Sequence, residues 1–415
     1  MSIFPSKASL DNRLIGIISA AVIMSLSACG GSGDSNSPNT IDEEVIESPP
    51  VTETPPVENP PEDDNDPDEP TTTLVDGTIV NTAALVSLGE QLYNDTNLST
   101  PAGQSCASCH SLSAGFADPN TQNPTSLGAD GISFGGRNSP TASYAAHIPA
   151  PQIVMRTPPN GGNANAVRIG GLFWDGRAES LEEQAKGPFL NPVEMGNSDE
   201  SEVIAKLRNA AYAGEFEALF GNNILDDVDR SYDYIADAIA AFERTDVFSP
   251  FSSKFDQVQN GTASFTAAEQ RGENLFNGRA QCDRCHSSDA DQPQMFSNFE
   301  YENIGVPSNP LLPAVMSDPS FVDNGLGDIT GNNRDNGRFR TSSLRNVAIT
   351  PPYMHNGVFN TLREVIDFYN TRDTSFNQLP EVAENVDQGG NIGELGLNEN
   401  EINDLIAFLE TLTDQ

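Results

Sequence analysis

Cys106-Ala107-Ser108-Cys109-His110 and Cys282-Asp283-Arg284-Cys285-His286 are one phrase written twice, and their reading decides what kind of chain this is. Two cysteines separated by two residues, with a histidine directly after, form the sequence to which a c-type haem is attached. The chemistry explains the spacing. Two thiols add to the porphyrin's vinyl groups as thioethers, and the adjacent imidazole is then held beneath the iron as its proximal ligand. Four cysteines also suit a zinc site, a redox dithiol or structural disulfides, but none of these requires a histidine twice in the same place. Two covalent haems are expected, with His110 and His286 on the irons.

Upstream of each motif stands a second repeated phrase, Leu88-Gly89-Glu90-Gln91-Leu92-Tyr93 before the first and Arg271-Gly272-Glu273-Asn274-Leu275-Phe276 before the second. Each spaces its apolar residues as a short amphipathic helix does, as expected for the opening helix of a cytochrome c domain. Near the end of the chain Asn398 can cap a helix with Glu401 three residues on. Ile402, Leu405, Ile406, Leu409 and Leu412 then form one apolar stripe. Between such helices the chain is rich in Gly, Pro and Asn, as at 158–165 and 325–337, and long loops of that kind commonly carry function. The expected fold is mainly α, with two cytochrome c-like haem domains at 77–260 and 261–415, long irregular loops and little sheet. Gln259-Asn260-Gly261-Thr262 is the expected hinge.

The first 76 residues read differently. Lys7 and Arg13 precede an uncharged apolar run at 14–26, which ends in Leu26-Ser27-Ala28-Cys29, the form of a lipobox. The run is shorter than the ~20 apolar residues of a membrane span. Residues 1–28 therefore read as a lipoprotein signal peptide, and Cys29 as the lipidated first residue of the mature protein. Gly30 follows rather than the aspartate of inner-membrane retention, so the expected location is the outer membrane, facing the periplasm, with surface display as the other choice. Residues 29–76 include a stretch from Ile41 to Pro70 crowded with Pro, Asp and Glu and free of Lys and Arg. That composition cannot bury a core, and it reads as a disordered, extended acidic tether.

Acidic side chains number 60 against 21 basic ones, a net charge of −39. Fifteen of the acids and two of the bases fall in the first 76 residues, which leaves −26 on the body. Such a surface repels nucleic-acid phosphates and steers a positively charged partner.

What lies between and after the two motifs narrows the reading. Phe173-Trp174-Asp175-Gly176-Arg177-Ala178, Leu181-Glu182-Glu183-Gln184-Ala185, Pro188 and Asn191-Pro192-Val193-Glu194-Met195 closely resemble a stretch of the bacterial dihaem cytochrome c peroxidases and MauG. Arg340-Thr341-Ser342-Ser343-Leu344-Arg345-Asn346-Val347 and Thr350-Pro351-Pro352-Tyr353-Met354-His355-Asn356-Gly357 resemble that family's second-domain signature. The resemblance covers nearly all of residues 80 to 412. It implies an oxidoreductase that reduces hydrogen peroxide.

Heterolysis of peroxide needs a group that takes a proton from one oxygen and returns it to the other, which a carboxylate above an open iron can do. The resemblance assigns this to Glu194, with Gln184 and Pro188 lining the same pocket, and makes Trp174, the sole tryptophan, an electron relay between the haems. It also implies a calcium ion held by Asn138, Thr350 and Pro352, and oxygen donors suit that hard cation.

The departures matter as much. No histidine stands between His110 and Asn138, where family members that need reductive activation carry a blocking ligand, so the first haem is expected to be open at rest. His147 then reads as a structural or pocket-edge residue. Fourteen residues after His355, where the peroxidases have methionine, stands Tyr369, as in MauG-type proteins. A phenolate there would stabilise high oxidation states of the second iron, and Met354 is the other candidate ligand. His355 itself reads as an inter-haem residue. Six residues before His286, where MauG has a surface tryptophan, this chain has Ala280.

Two enzymatic readings follow. One is a peroxidase fed by an electron-donor protein, a small cytochrome c or a cupredoxin. The other is a MauG-like enzyme that oxidises residues of a partner protein. A dihaem electron carrier is the non-enzymatic alternative.

Overall fold

The computed structural model describes residues 69–157, 162–287, 294–388 and 392–415. The apolar run, Cys29 and nearly all of the acidic tether lie outside the described residues, as does part of the 158–165 loop. Among the described residues no helix is long and apolar enough to cross a membrane.

In chain order the helices of the first half are α1 (Thr82–Asn94), α2 (Cys106–Cys109), α3 (Leu181–Leu190), α4 (Glu200–Leu207), α5 (Ala213–Phe220) and α6 (Val228–Glu243). Those that follow are α7 (Lys254–Gln259), α8 (Ala267–Phe276), α9 (Pro313–Ser317), α10 (Leu326–Thr330), α11 (Leu362–Thr371) and α12 (Glu399–Glu410). Among the described residues sheet is confined to three two-stranded antiparallel ribbons, β1 (Thr71–Thr73) with β2 (Ile79–Asn81), β3 (Gln152–Arg156) with β4 (Asn165–Ile169), and β5 (Tyr301–Glu302) with β6 (Phe339–Arg340).

The two repeated phrases explain one another in space. Gly89 of α1 meets α6 so closely that a Cβ would overlap the Ala238 carbonyl and press on Phe242. Gly272 of α8 meets α12 in the same way, against the Asp404 carbonyl and Phe408. A glycine at each crossing lets two helix backbones approach with no side chain between them. Around the first crossing Leu85, Leu88, Leu92, Ile235, Ile239 and Phe242 are buried; around the second, Phe276, Ile402, Leu405, Phe408 and Leu409. Asn398 caps α12 and Glu401 closes the capping box, as the spacing predicts.

The cores divide earlier than the expected hinge. Phe255 on α7 packs edge-on against Phe296, with ring centroids 4.9 Å apart, and belongs to the second core, whereas Phe248 belongs to the first. The turn at 259–262 thus lies within the second half. At the other end the folded body reaches back into the stretch expected to be tether. β1 pairs with β2, Leu74 is buried in the first core, and the Asp76 carboxylate accepts a 2.8 Å hydrogen bond from the Tyr234 hydroxyl.

Candidate functional site

Each haem motif begins on a short helical turn, and each histidine is fixed in the same manner. His110 Nδ1 lies 3.1 Å from the carbonyl oxygen of Phe116, and His286 Nδ1 lies 2.9 Å from that of Phe296. A ring nitrogen that donates to a carbonyl leaves Nε2 as the unprotonated donor a metal takes. Burial also pushes both imidazoles toward the neutral form. Both phenylalanines hold left-handed backbone, φ 58° and 52°, which is uncommon for a side chain of that size. Tyr93, the last residue of the first repeated phrase, donates to the His110 carbonyl at 3.0 Å. No disulfide joins any of the four motif cysteines.

Beside the second motif a cavity of about 280 Å³ is walled by Cys282, Cys285, His286, Tyr369, Met354 and Arg340, among others. Trp174, Asn138, Thr350, Pro352, His355 and Ala280 reach its walls as well, so the structure brings together residues from six separate stretches of the chain. Burial, then the neighbouring Cys285 and Cys282, push the Tyr369 hydroxyl far above its ordinary range. Both candidate sixth ligands therefore face the same space. Arg340 is 6 % exposed, and its Nε has no hydrogen-bond partner. Burial pulls its guanidinium down to about 10. A buried cation without a carboxylate partner is costly, so this wall suits a ligand that brings its own carboxylates, as a haem does.

A second cavity, of about 310 Å³, opens beside Glu194 and is lined by Phe173, Arg177, Glu183, Pro188 and Asn191. Burial raises the Glu194 carboxyl above the usual range, opposed by the Arg177 charge and a hydrogen bond from Asn191. Burial pushes the Cys106 and Cys109 thiols upward, and the Glu194 charge makes a smaller contribution to each. Gln184 is not among the walls and sits one turn before Pro188 on α3. Because Pro188 has no N–H, the Gln184 carbonyl loses its helical partner. His147 lines neither cavity and packs edge-on against Phe251 at 5.3 Å.

Trp174 stands between the halves. Its Nε1 donates to the Asn138 carbonyl at 2.8 Å, and its own carbonyl accepts from Arg340 N at 2.9 Å. Sequence reasoning missed the carbonyls of Phe116 and Phe296, which fall six and ten residues after their histidines and so share no spacing. It missed equally the walls supplied by Phe173 and Arg177 and the ion pairs flanking Trp174.

With this geometry in hand, the comparisons with known proteins are specific. The family model for the di-haem cytochrome c peroxidases matches residues 83–264. The methylamine utilization protein MauG of Paracoccus denitrificans is 42 % identical over 80 % of this chain and 89 % of its own length. Cytochrome c551 peroxidase of Nitrosomonas europaea is 31 % identical, covering 80 % of each. The crystal structure of the diheme peroxidase BthA from Burkholderia thailandensis superposes with a TM-score of 0.71 at 31 % identity, over 83 % of this chain and 93 % of that one. The chain belongs to the dihaem cytochrome c peroxidase and MauG family. It is accordingly an oxidoreductase acting on peroxide, with two c-type haems, and the electron-carrier reading falls away.

Proposed function

We infer that the protein reduces hydrogen peroxide at the haem of the first motif, with electrons reaching it through the second. Cys106 and Cys109 carry one haem with His110 on its iron; Cys282 and Cys285 carry the other with His286. Bound there, the first haem supplies an open iron for peroxide and the second an entry point for electrons.

The observation that carries this reading is Glu194, a buried carboxyl at a cavity whose charge reaches both cysteines of the first motif. Its raised pKa suits a group that must both accept and return a proton. Pro188 shapes the cavity wall, and Gln184 acts from the preceding turn. Trp174 relays electrons between the halves. Tyr369 would ligate the iron of the second haem, with Met354 on the same cavity wall as the other candidate, and Asn138, Thr350 and Pro352 would hold a calcium ion. The Asn138 amide Nδ2 donates to the Pro124 carbonyl, which leaves its Oδ1 for a cation. Cys29 tethers the protein to the outer membrane on the periplasmic side, a location that agrees with haem attachment outside the cytoplasm.

Tyr369, on the wall of the cavity beside the second motif, favours a second reading, in which oxidising equivalents from peroxide are spent on residues of a partner protein. The two separate in one experiment. Steady peroxide-dependent oxidation of a reduced small cytochrome c or cupredoxin supports the donor-fed peroxidase, and stoichiometric modification of a co-purified protein without such turnover supports the other.

A further inference from the structure

Asn138, Asp323, His355 and Glu381, on the wall of the cavity beside the second motif, belong to a buried polar circuit that runs on to Arg137 and Asp175. Arg137 reaches Asp175 through Nη1 at 2.5 Å and grips Asp323 with two parallel bonds, Nε at 2.6 Å and Nη2 at 2.7 Å. The Asp175 and Asp323 side chains are only 5 % and 10 % exposed. Burial works against the Arg137 charge, but Asp323 and Asp175 more than offset it and hold the guanidinium protonated. From Asp323 the circuit runs on. Its backbone N–H donates to one Glu381 oxygen at 2.9 Å, and the other oxygen lies 3.2 Å from His355 Nε2. The His355 carbonyl then accepts the Asn138 N–H at 2.8 Å, which closes the loop on the residue next to Arg137.

Trp174 hangs from this circuit at two points. Its indole N–H bonds the Asn138 carbonyl, and the residue after it, Asp175, is the carboxylate that Arg137 holds. Arg177 holds the same carboxylate from the other side, 2.9 Å from each oxygen, and is itself a wall of the Glu194 cavity. Buried ion pairs of this kind are poor evidence of stability, because desolvation offsets much of their attraction; their best-attested use is to fix one arrangement among several.

We propose that Arg137 is a positioning residue for electron passage through Trp174, with Asp323 of the second half as its counter-charge. The inference rests on the relay reading of Trp174. Each peroxide takes up two electrons and two protons and leaves as two waters. The electrons come from a reduced donor protein at the second half and cross the indole to the first. Arg137 touches none of the reacting atoms. It holds the acceptor of the indole N–H and the carboxylate beside the indole in one register with the second half.

The test uses the holoenzyme and its single tryptophan. Ultraviolet resonance Raman of the indole reads the strength of the Nε1 hydrogen bond, and stopped-flow absorbance after peroxide reads the two haems separately. In Arg137→Gln the indole band moves toward that of a weakly bonded N–H, and the second haem's change lags the first by tenfold or more; Arg137→Lys recovers part of each. Asp323→Asn, which leaves the Asp175 pair intact, carries the same expectation should Arg137→Gln fail to fold. An unmoved indole band, or an unchanged lag in either variant, overturns the proposal. A wild-type protein inert to peroxide sinks the peroxidase reading instead, and the Raman band still decides whether Arg137 positions the indole.

Discussion

The indole Nε1 of Trp174 donates a 2.8 Å hydrogen bond to the backbone oxygen of Asn138, so the sole aromatic indole is pinned by a main-chain group rather than by a side chain. Substitution at Asn138 therefore leaves this bond in place, whereas Trp174→Phe removes it while keeping an aromatic ring. We expect Trp174→Phe to retain two haems per chain and its thermal midpoint within a few degrees. Steady-state peroxide turnover with a protein donor should fall by at least tenfold. Turnover equal to wild type would show that electrons take another route.

Glu194→Gln should slow the reaction of the resting enzyme with peroxide by roughly 10²–10⁴-fold, the usual worth of a positioned acid–base group, with haem content unchanged. As a base Glu194 acts in its ionised form, and burial raises its pKa. The wild-type rate should thus climb as pH rises through that elevated value, and the residual rate of the glutamine variant should be flat there. Rapid mixing over a pH series checks both.

Gly89→Ala and Gly272→Ala should each destabilise the protein, because the added methyl group meets a backbone carbonyl of the partner helix that cannot move without shifting α6 or α12. Overpacking of this kind costs ~1–3 kcal/mol. Urea denaturation of the holo protein tests it, and a wild-type midpoint in either variant would mean that the crossing is looser than described.

Glu243 is 6 % exposed at the end of α6, and burial, with Glu182 adding to it against Arg244, pushes its carboxyl up to about 8. A native state that holds this proton more tightly than the unfolded chain is stabilised fully below the ordinary value of 4.5, and that stability drains away as pH rises through about 8. Glu243→Gln keeps a neutral amide throughout, so its advantage over wild type should grow between pH 5 and pH 9. Parallel denaturation curves at those two values would contradict the assignment.

Where chemistry is local, the sequence was readable. The spacing of Cys106, Cys109 and His110 is dictated by one porphyrin edge, and the Asn398–Glu401 cap and its apolar stripe are dictated by one helix; the structure bears out the cap and the stripe. The glycine repeat could be seen but not explained, since its reason is a carbonyl on a helix some 150 residues away for Gly89 and 130 for Gly272. Arg137 and Asp323 are 186 residues apart, and no period or motif joins them. Gln184 and Pro188 looked equivalent in sequence, yet only Pro188 lines the cavity beside Glu194, because Gln184 lies one helical turn away along the same face.

The most direct test of the central claim is an optical and EPR titration of the oxidised holo protein with hydrogen peroxide, after two haems per chain have been confirmed. An open first site beside a ligated second one predicts a high-spin signal next to a low-spin signal at rest, both lost quickly on adding peroxide. Two low-spin haems that ignore peroxide would contradict the account.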